Sequence, residues 1–447
     1  MESQARSPAT SVPARVWSGT RWLVLGRLYG SLCTLIALWW IARVLDEEAF
    51  GRYGFYLSMF VVLDTLCDFG TGQYCVQRSS ADERELAGLL HAARRLRLLL
   101  ASAGSLAITA LAWAYGESGI GWVFLASLYP LTHALELSTV PLRNRIDWRI
   151  PVLLRISAAS LSLLFVLLLG WQGVREPALY LLGVAAGSTL GNFLLHRACQ
   201  PWLPRLEAQP ASLIALLSDV WPLGLASLCQ QAYFHVDALF VRSFCGASEL
   251  GPYHIAMRVM SYSIMVAIFA TQAALPWLSR AHASHELGAA SGALASRLFL
   301  RACIPIGLAM PWGDLLLEAF RPGFGRAHLS LAWLLLAAAC VYAGASLMTA
   351  LVAAGARRAI LRVALLALLI NLAGNLLLVP RWGISGAGFM TFLTEAGVAL
   401  LASVELRRLG AGEIFAPHAR AWLLAPLALL GSGLVSLLLR QAAERML

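Results

Sequence analysis

The sequence contains no lysine and very little charge of either sign. Asp, Glu, Lys and Arg together make up 13% of its 447 residues, and all 34 basic residues are arginine. Soluble globular chains carry about a quarter charged residues, so a water-soluble domain is excluded for most of this chain. The arginines occur in short clusters between apolar runs. They form no continuous basic face, which excludes a nucleic-acid-binding surface.

Signs of metal, disulfide and enzyme chemistry are also absent. The eight cysteines are scattered, and no two of them form a CxxC pair. This spacing indicates neither a disulfide framework nor a zinc site, and we expect no metal and no cofactor. No paired-carboxylate, nucleophile or nucleotide-binding motif stands in a suitable context, so we expect no catalytic residue and no enzyme.

Apolar residues are abundant and make up 59% of the chain. Apolar runs of about 18 or more residues recur from end to end, and each can cross a hydrocarbon core of about 30 Å as a helix. Backbone polar groups in lipid must be satisfied within the segment, so the runs are predicted to be helices. The thirteen predicted spans are 22–44, 51–70, 96–115, 119–138, 153–170, 177–197, 213–241, 250–277, 296–318, 328–352, 357–379, 383–405 and 419–440.

The distribution of arginine supports this set of spans. Arginines near span ends collect on the cytoplasmic side of a membrane protein. With the N-terminus inside, the predicted inner segments hold 23 of the 34 arginines and the outer segments hold 9. An invented or missed span in the middle would reverse the bias downstream, and no reversal occurs. We therefore predict a multi-pass membrane protein with a cytoplasmic N-terminus.

The chain also repeats itself at a separation of 200 residues. Phe50-Gly51-Arg52-Tyr53 matches Leu250-Gly251-Pro252-Tyr253, so predicted helix 2 resembles predicted helix 8. Six spans return the chain to its starting side, and transporters are often built from such repeats. We expect an all-α integral membrane fold of two six-helix lobes related by a pseudo-two-fold axis, plus one C-terminal extra span. The expected domains are an N-terminal tail (1–21), an N-lobe (22–197), a cytoplasmic linker (198–212), a C-lobe (213–405) and a C-terminal segment (406–447).

Short motifs stand at the ends of several predicted helices. They are Gly51-x-Tyr53, Asp68-Phe69-Gly70, Gly251-x-Tyr253-x-x-Ala256-x-Arg258, Pro276 and Pro380-x-x-Gly383-x-x-Gly386-Ala387. In order and spacing these motifs resemble, over nearly the whole chain, the polysaccharide and oligosaccharide-lipid flippase branch of the MOP (multidrug/oligosaccharidyl-lipid/polysaccharide) exporter superfamily. The resemblance implies a MATE-like fold and a flippase. Its implied cargo is a polyprenyl-diphosphate-linked oligosaccharide, used to make O-antigen, capsule or exopolysaccharide.

Arg27 in predicted helix 1 and Arg258 early in predicted helix 8 are the two arginines that belong to neither the inner nor the outer segments, because both lie within apolar runs. A charge at mid-membrane costs about 2.5–3.5 kcal/mol on insertion scales, so it usually faces a cavity or a partner. We expect both arginines to line a hydrated cavity between the lobes and to hold an anionic diphosphate through charge-assisted hydrogen bonds. The alternative is that Arg27 snorkels to the inner surface while Arg258 pairs with Asp237 or Glu249.

Helix 7 carries a polar run that includes Gln231, Tyr233 and His235. These side chains are candidates for hydrogen bonds to sugar hydroxyls inside a wet cavity. They are equally well explained as polar contacts between helices, which contribute about 0.6 kcal/mol each on average.

Three acidic residues within spans are candidates for a coupling proton or sodium ion, namely Asp64, Asp237 and Glu395. Carboxyl groups inside membrane segments commonly mark such pathways. Alternatively, Asp237 only neutralises an arginine, and Asp68 caps the end of its helix.

Two other functions are compatible with a chain of this kind. A multidrug exporter of the same superfamily would favour cationic drugs and an acidic cavity, whereas the two deeply placed charges here are arginines. A polysaccharide polymerase or lipid-linked glycosyltransferase generally presents a sizeable outer loop, and every predicted outer loop is short. We therefore expect a monomeric transporter whose partners are its lipid-linked cargo, membrane lipids and a polysaccharide polymerase.

Overall fold

A computed structural model describes residues 14–81, 86–144, 148–203, 212–411, 414–415 and 418–446. Within these ranges the chain is helical, with no strand and with short connections. In this described part of the chain, eleven helical stretches are long and apolar enough to cross a membrane. The prediction of an all-α membrane chain is therefore confirmed for the described part of the sequence.

The thirteen predicted spans all coincide with helices of the structure. One of the eleven candidate helices, Arg357–Arg408, is 52 residues long and has a non-helical backbone at Gly383 (φ 58°, ψ −142°). At about 1.5 Å per residue it is long enough for two crossings, which correspond to the two spans predicted on either side of Pro380. The helix Glu47–Asp68 is not among the eleven because its five charged residues lower its hydropathy, but it covers the predicted span 51–70.

The chain forms two compact units. Unit 1 comprises residues 1–41 and 66–220, and unit 2 comprises residues 42–65 and 221–447. The helices that lie wholly or mainly in unit 1 are α1 (Ala14–Val44), α3 (Thr71–Ala81), α4 (Leu86–Ala114), α5 (Ile120–Ser127), α6 (His133–Glu136), α7 (Val140–Asn144), α8 (Arg149–Trp171) and α9 (Pro177–Cys199).

Unit 2 contains the remaining helices and an extensive apolar core. Its most buried helix, α16, packs against α17 and, with α13 and α14, encloses a core rich in alanine and leucine. The helices lying wholly or mainly in this unit are α2 (Glu47–Asp68), α10 (Leu213–His235), α11 (Asp237–Cys245), α12 (Ala247–Ser263), α13 (Met265–Ala283), α14 (Leu287–Ala309), α15 (Gly313–Glu318), α16 (His328–Ala353), α17 (Arg357–Arg408) and α18 (Ala419–Met446).

These units differ from the domains expected from the sequence. Most of α2 packs within unit 2 although it belongs to the first six spans, and the first turns of α10 belong to unit 1. The expected N-terminal tail is partly helical, because α1 begins at Ala14, while residues 1–13 lie outside the described part. The centre of the expected linker, 204–211, also lies outside it.

The extra C-terminal helix α18 belongs to unit 2 and packs along α14. Gly307 of α14 lies directly against α18, where there is no room for a side chain, since an added Cβ would be only 2.1 Å from Ser432 Oγ. Near the other end Arg440 Nη2 donates to Asp314 Oδ2 at 2.8 Å, and Trp312 Nε1 donates to Ser436 Oγ at 2.8 Å. Close helix packing through small residues and interhelical polar contacts are typical of membrane helix pairs.

Candidate functional site

The helix α2 and the helix α12 approach each other closely inside unit 2, and the repeated motifs meet there. A Cβ on Gly51 would lie 1.7 Å from the carbonyl oxygen of Ala247, and one on Gly251 would lie 3.2 Å from the Phe50 ring. Tyr53 is buried, and its ring stacks with that of Phe50. The glycines thus have a structural role, which is to allow two backbones to pass without side chains between them.

The tyrosine of the second motif reaches a buried carboxyl group. The span 213–245 is divided at Val236 into α10 and α11, and Asp237 stands at the first position of α11. Its Oδ2 atom accepts hydrogen bonds from the hydroxyls of Tyr253 (2.6 Å) and Thr391 (2.7 Å). Its Oδ1 atom is buried and has no hydrogen-bond partner. Asp237 therefore has two neutral donors and one unoccupied oxygen.

A second carboxyl group, that of Glu395, is buried near the middle of the second half of α17. Tyr233 of α10 donates a hydrogen bond to this carboxyl group, and the Oε1 atom of Glu395 has no partner. Asn371 and Thr394 of the same long helix are linked by a hydrogen bond of 3.1 Å. Asn375 donates to Asn371, which extends this buried polar ladder by one helical turn.

Arg258 occupies a different environment on α12. Its side chain is half-buried, and its Nε atom is buried without an acceptor. His235, His254 and Tyr53 lie within electrostatic range of its guanidinium. Among the described residues no carboxylate forms an ion pair with Arg258.

The two acids that could have neutralised Arg258 are engaged elsewhere. Asp237 is held by Tyr253 and Thr391, and Glu249 accepts from Arg326 at 3.1 Å. The pairing of Arg258 with either acid, one alternative drawn from the sequence, is therefore not found in unit 2. A second cation lies on the neighbouring helix, where Arg242 stands 4.6 Å from the ring centre of Phe55.

The remaining sequence-predicted residues are distributed over both units. In unit 1 Arg27 is an exposed side chain of α1, and Asp68 forms an ion pair with the buried Arg97. Gly70 adopts φ 74°, a left-handed conformation that glycine allows at the turn from α2 to α3. In unit 2 Asp64 and Gln231 are half-buried, and Pro276 lies inside α13.

Several features of these sites were not predicted from the sequence. Thr391 lies 154 positions from Asp237, and nothing in its local sequence marks it as a partner. The fourth predicted span is interrupted by two short 3₁₀ turns, Tyr129–Thr132 and Leu137–Thr139. Pro130 and the acidic Glu136 were the signal in the sequence for this interruption. No group of three or more His, Cys, Asp or Glu side chains within the described ranges is arranged to hold a metal ion.

Solved structures with the same fold are membrane transporters. A multidrug resistance MATE family transporter of the MOP superfamily, in an inward-facing conformation, is 14% identical over 86% of this chain and 95% of its own (TM-score 0.67). The lipid II flippase MurJ, in an inward closed conformation, is 14% identical over 94% of this chain and 97% of its own (TM-score 0.67).

A third similar structure is a MOP superfamily transporter from Pyrococcus furiosus, described as having a binding pocket of reverse polarity that suggests a different function. It is 15% identical over 89% of this chain and 96% of its own (TM-score 0.66). These similarities confirm the MATE-like fold. No curated protein matches the sequence significantly. Residues 16–282 match the family described as "Polysaccharide biosynthesis protein", and the chain therefore belongs to that family.

Proposed function

We propose that this protein is a flippase that carries a polyprenyl-diphosphate-linked oligosaccharide from the cytoplasmic to the outer leaflet by alternating access. A sugar diphosphate cannot cross hydrocarbon unaided, because moving unpaired charges into an apolar medium costs tens of kcal/mol on idealised estimates. Membership of the polysaccharide biosynthesis family supports a glycan precursor as cargo. The flippase activity of MurJ, which shares the fold, supports a lipid-linked one.

The observation that carries the proposal is the state of Arg258. Within the described residues its guanidinium has no carboxylate partner, and one of its donors is buried without an acceptor. A guanidinium in an apolar setting costs free energy unless an anion completes its hydrogen bonds, and phosphate oxygens are well suited to do so. Arg258 is therefore proposed as the diphosphate ligand, and His235 and Gln231 are proposed as ligands of the sugar. Arg27 is proposed as a further contact to the diphosphate.

Coupling to an ion gradient is proposed for the two buried carboxyl groups of unit 2. Asp237 and Glu395 are each held by hydroxyl donors, and each keeps one buried oxygen without a partner. A buried carboxylate without a cation is costly, so a proton or a sodium ion would stabilise both groups. Asp64 on α2 is a third candidate for the same role. The proposed location is the bacterial inner membrane with the N-terminus in the cytoplasm, next to a polysaccharide polymerase.

The test is deletion of the gene from its host followed by re-expression of variants at matched protein levels. Deletion is expected to abolish surface polysaccharide and to cause accumulation of the polyprenyl-diphosphate oligosaccharide. The wild-type gene should restore the polysaccharide, whereas Arg258→Ala should not. Arg301→Ala removes an exposed arginine of α14 and serves as the matched control, with full restoration expected.

Two outcomes would contradict this proposal. Full restoration by both Arg258→Ala and Arg27→Ala would remove the assigned diphosphate site. Unchanged polysaccharide in the deletion strain, together with new sensitivity to cationic drugs, would instead support the multidrug exporter. The exporter is the second candidate because MATE transporters share the fold.

A further inference from the structure

One loop of unit 2 contacts the beginnings of α2 and α12 at the same time. It comprises residues 319–327, between α15 and α16, and is called the clasp below. By the arginine distribution the clasp lies on the predicted outer side, as do the turns that precede α2 and α12. The proposed function assigns no role to this loop.

The conformation of the clasp is fixed by residues of its own segment. The Glu318 carboxylate accepts hydrogen bonds from the backbone N–H groups of Gly323 and Gly325, both at 2.9 Å. Gly323 has φ 90°, a left-handed conformation that glycine allows without strain. None of these contacts involves α2, so the loop is shaped in advance to receive that helix.

Arg326 of the clasp joins the two repeated motifs through their acidic residues. Its Nη2 atom donates to Glu47 Oε2 at 2.8 Å, and its Nε atom donates to Glu249 Oε1 at 3.1 Å. Glu47 is in the first turn of α2, and Glu249 is in the first turn of α12. A single guanidinium therefore bridges the beginnings of the two helices.

Two further side chains of the clasp hold the segment that leads into α2. Arg321 Nη1 donates to the carbonyl oxygen of Ala42 at 2.8 Å and to that of Leu45. Phe324 is fully buried, and its ring centre lies 5.8 Å from that of Phe50. The clasp thus contacts the outer end of α2 through an ion pair, through backbone carbonyl groups and through an aromatic ring.

The contacts that join α2 to the clasp are of a kind that can open and close. The side chains of Arg326, Glu47 and Glu249 are 35%, 33% and 36% exposed. Partly exposed ion pairs contribute little net stability, because water and salt replace them at small cost. Behind them α2 meets α12 at Gly51, where no side chain has to be withdrawn when the helices part.

The position of α2 between the two units indicates what the clasp acts on. Residues 42–65 pack within unit 2, whereas the inner end of α2, from residue 66 onward, packs within unit 1. By the sequence repeat, however, all of α2 belongs to the first six spans. The outer half of α2 is therefore attached to unit 2 by contacts that its own repeat does not supply.

We propose that the clasp is a reversible outer latch, which holds residues 47–58 of α2 against α12 while the outer side is closed. On release, Arg326 keeps Glu249 and exchanges Glu47 for water, so that no charge is left without a partner or solvent. This inference rests on the proposed function, because alternating access requires the outer side to open once in each transport cycle.

Thiol labelling of the purified full chain in lipid nanodiscs tests whether the clasp holds α2. Ser58 shares a face of α2 with Gly51 and Gly54, and its side chain is 4% exposed. In the variant Ser58→Cys, a charged methanethiosulfonate reagent reaches the new thiol only when water enters between α2 and α12. Labelling of each cysteine is measured by peptide mass spectrometry, and native Cys303, buried in α14, reports general unfolding.

Arg326→Gln is expected to speed labelling at position 58 at least tenfold without changing the rate at Cys303. The charge exchange Glu47→Arg with Arg326→Glu should slow it again, because one arginine then stands between two glutamates. Arg381→Gln is the matched control, since Arg381 is exposed and donates to the carbonyl oxygen of Leu377 in its own helix. An unchanged rate at position 58 in Arg326→Gln, or an equal rise at Cys303, overturns the latch.

A reversible cross-link tests whether the latch opens during transport. Glu48 of α2 and Ser248 of α12 are exposed, so Glu48→Cys with Ser248→Cys leaves the clasp contacts in place. Joining the two thiols in cells with a short, reducible bis-methanethiosulfonate should lower surface polysaccharide at least tenfold, and a reductant should restore it. Either single variant treated in the same way is the control and should export normally.

The two proposals fail in different ways. Normal export by the cross-linked protein would show that α2 and α12 stay together throughout the cycle, which overturns the latch and leaves the flippase intact. Unchanged surface polysaccharide after deletion of the gene would instead overturn the proposed function. In that case the rate of labelling at position 58 in Arg326→Gln still decides whether the clasp holds α2 on α12.

Discussion

The contact of Gly51 with Ala247 offers a sharp test of how α2 is held in unit 2. Replacing Gly51 by alanine adds one methyl group, which would lie 1.7 Å from the carbonyl oxygen and 2.6 Å from the carbonyl carbon of Ala247. Both neighbours are backbone atoms, so no side chain can rotate away to make room. The two helices must separate by about 1.5 Å or more before ordinary contact distances return.

The expected cost follows from this displacement. Overpacking a well-packed contact lowers the free energy of unfolding by about 1–3 kcal/mol. Alanine is more favourable than glycine inside a helix by roughly 0.5–1 kcal/mol, which offsets part of this loss. The displacement also disturbs the buried stacking of Phe50 on Tyr53, which adds to the cost. We expect Gly51→Ala to lower the apparent melting temperature by about 1–3 °C, because the shift per kcal/mol becomes smaller as the chain becomes longer.

The assay is thermal unfolding of the purified protein in detergent, followed by thiol-reactive fluorescence of its buried cysteines. The matched control is Gly30→Ala, because Gly30 is also inside a helix but a Cβ added to it would meet no atom within 4 Å. Gly30→Ala should melt at or above the wild-type temperature. Equal melting temperatures for Gly51→Ala and Gly30→Ala would refute the argument that the two backbones are in contact.

Two further predictions concern polar groups of unit 2. Tyr253→Phe and Thr391→Val each remove one donor from buried Asp237 and should each destabilise the protein by about 1–3 kcal/mol in denaturant unfolding. Because both donors reach the same oxygen, the double variant should deviate from additivity by about 0.5 kcal/mol or more, and strict additivity would contradict the shared contact. A hydrogen bond from Arg326 holds the pKa of Glu47 below its ordinary value of 4.5. This stabilisation is therefore present above about pH 4.5 and lost as the pH falls through the lower folded-state pKa; since the pair is partly exposed, it amounts to less than about 1 kcal/mol. Glu47→Gln should remove this pH dependence from the melting curve, and an unchanged profile would contradict it.

The positions of the membrane helices could be predicted because the signal is local. The length of an apolar run and the arginines that flank it are both read from that segment alone, so no knowledge of distant residues is needed. The predicted spans fall on helices from α1 to α18, including the two halves of the long helix α17 on either side of Gly383. The interruption of the fourth span was missed because its overall hydropathy remains that of a membrane helix.

The candidate site could be predicted only in part. We predicted functional roles for Asp237, Glu395 and Arg258 because charge in lipid is costly, and all three lie within the described residues. Their partners could not be predicted, because Thr391 and Tyr253 are ordinary residues of apolar helices until the chain folds. The same holds for Arg97, which nothing in the sequence distinguishes from the neighbouring Arg94 and Arg95, but which is buried against Asp68 and Thr71 in the structure.

Local sequence was enough to predict that this chain is a membrane protein, where its helices lie, and which few residues bring charge into the apolar region. These properties follow from the transfer of each segment from water to lipid, which depends on that segment alone. Which charges are neutralised depends on the fold. Arg258 has no carboxylate partner among the described residues because Asp237 and Glu249 bind residues far away in the sequence, through hydrogen bonds of about 3 Å, and hydropathy carries no information about such pairs.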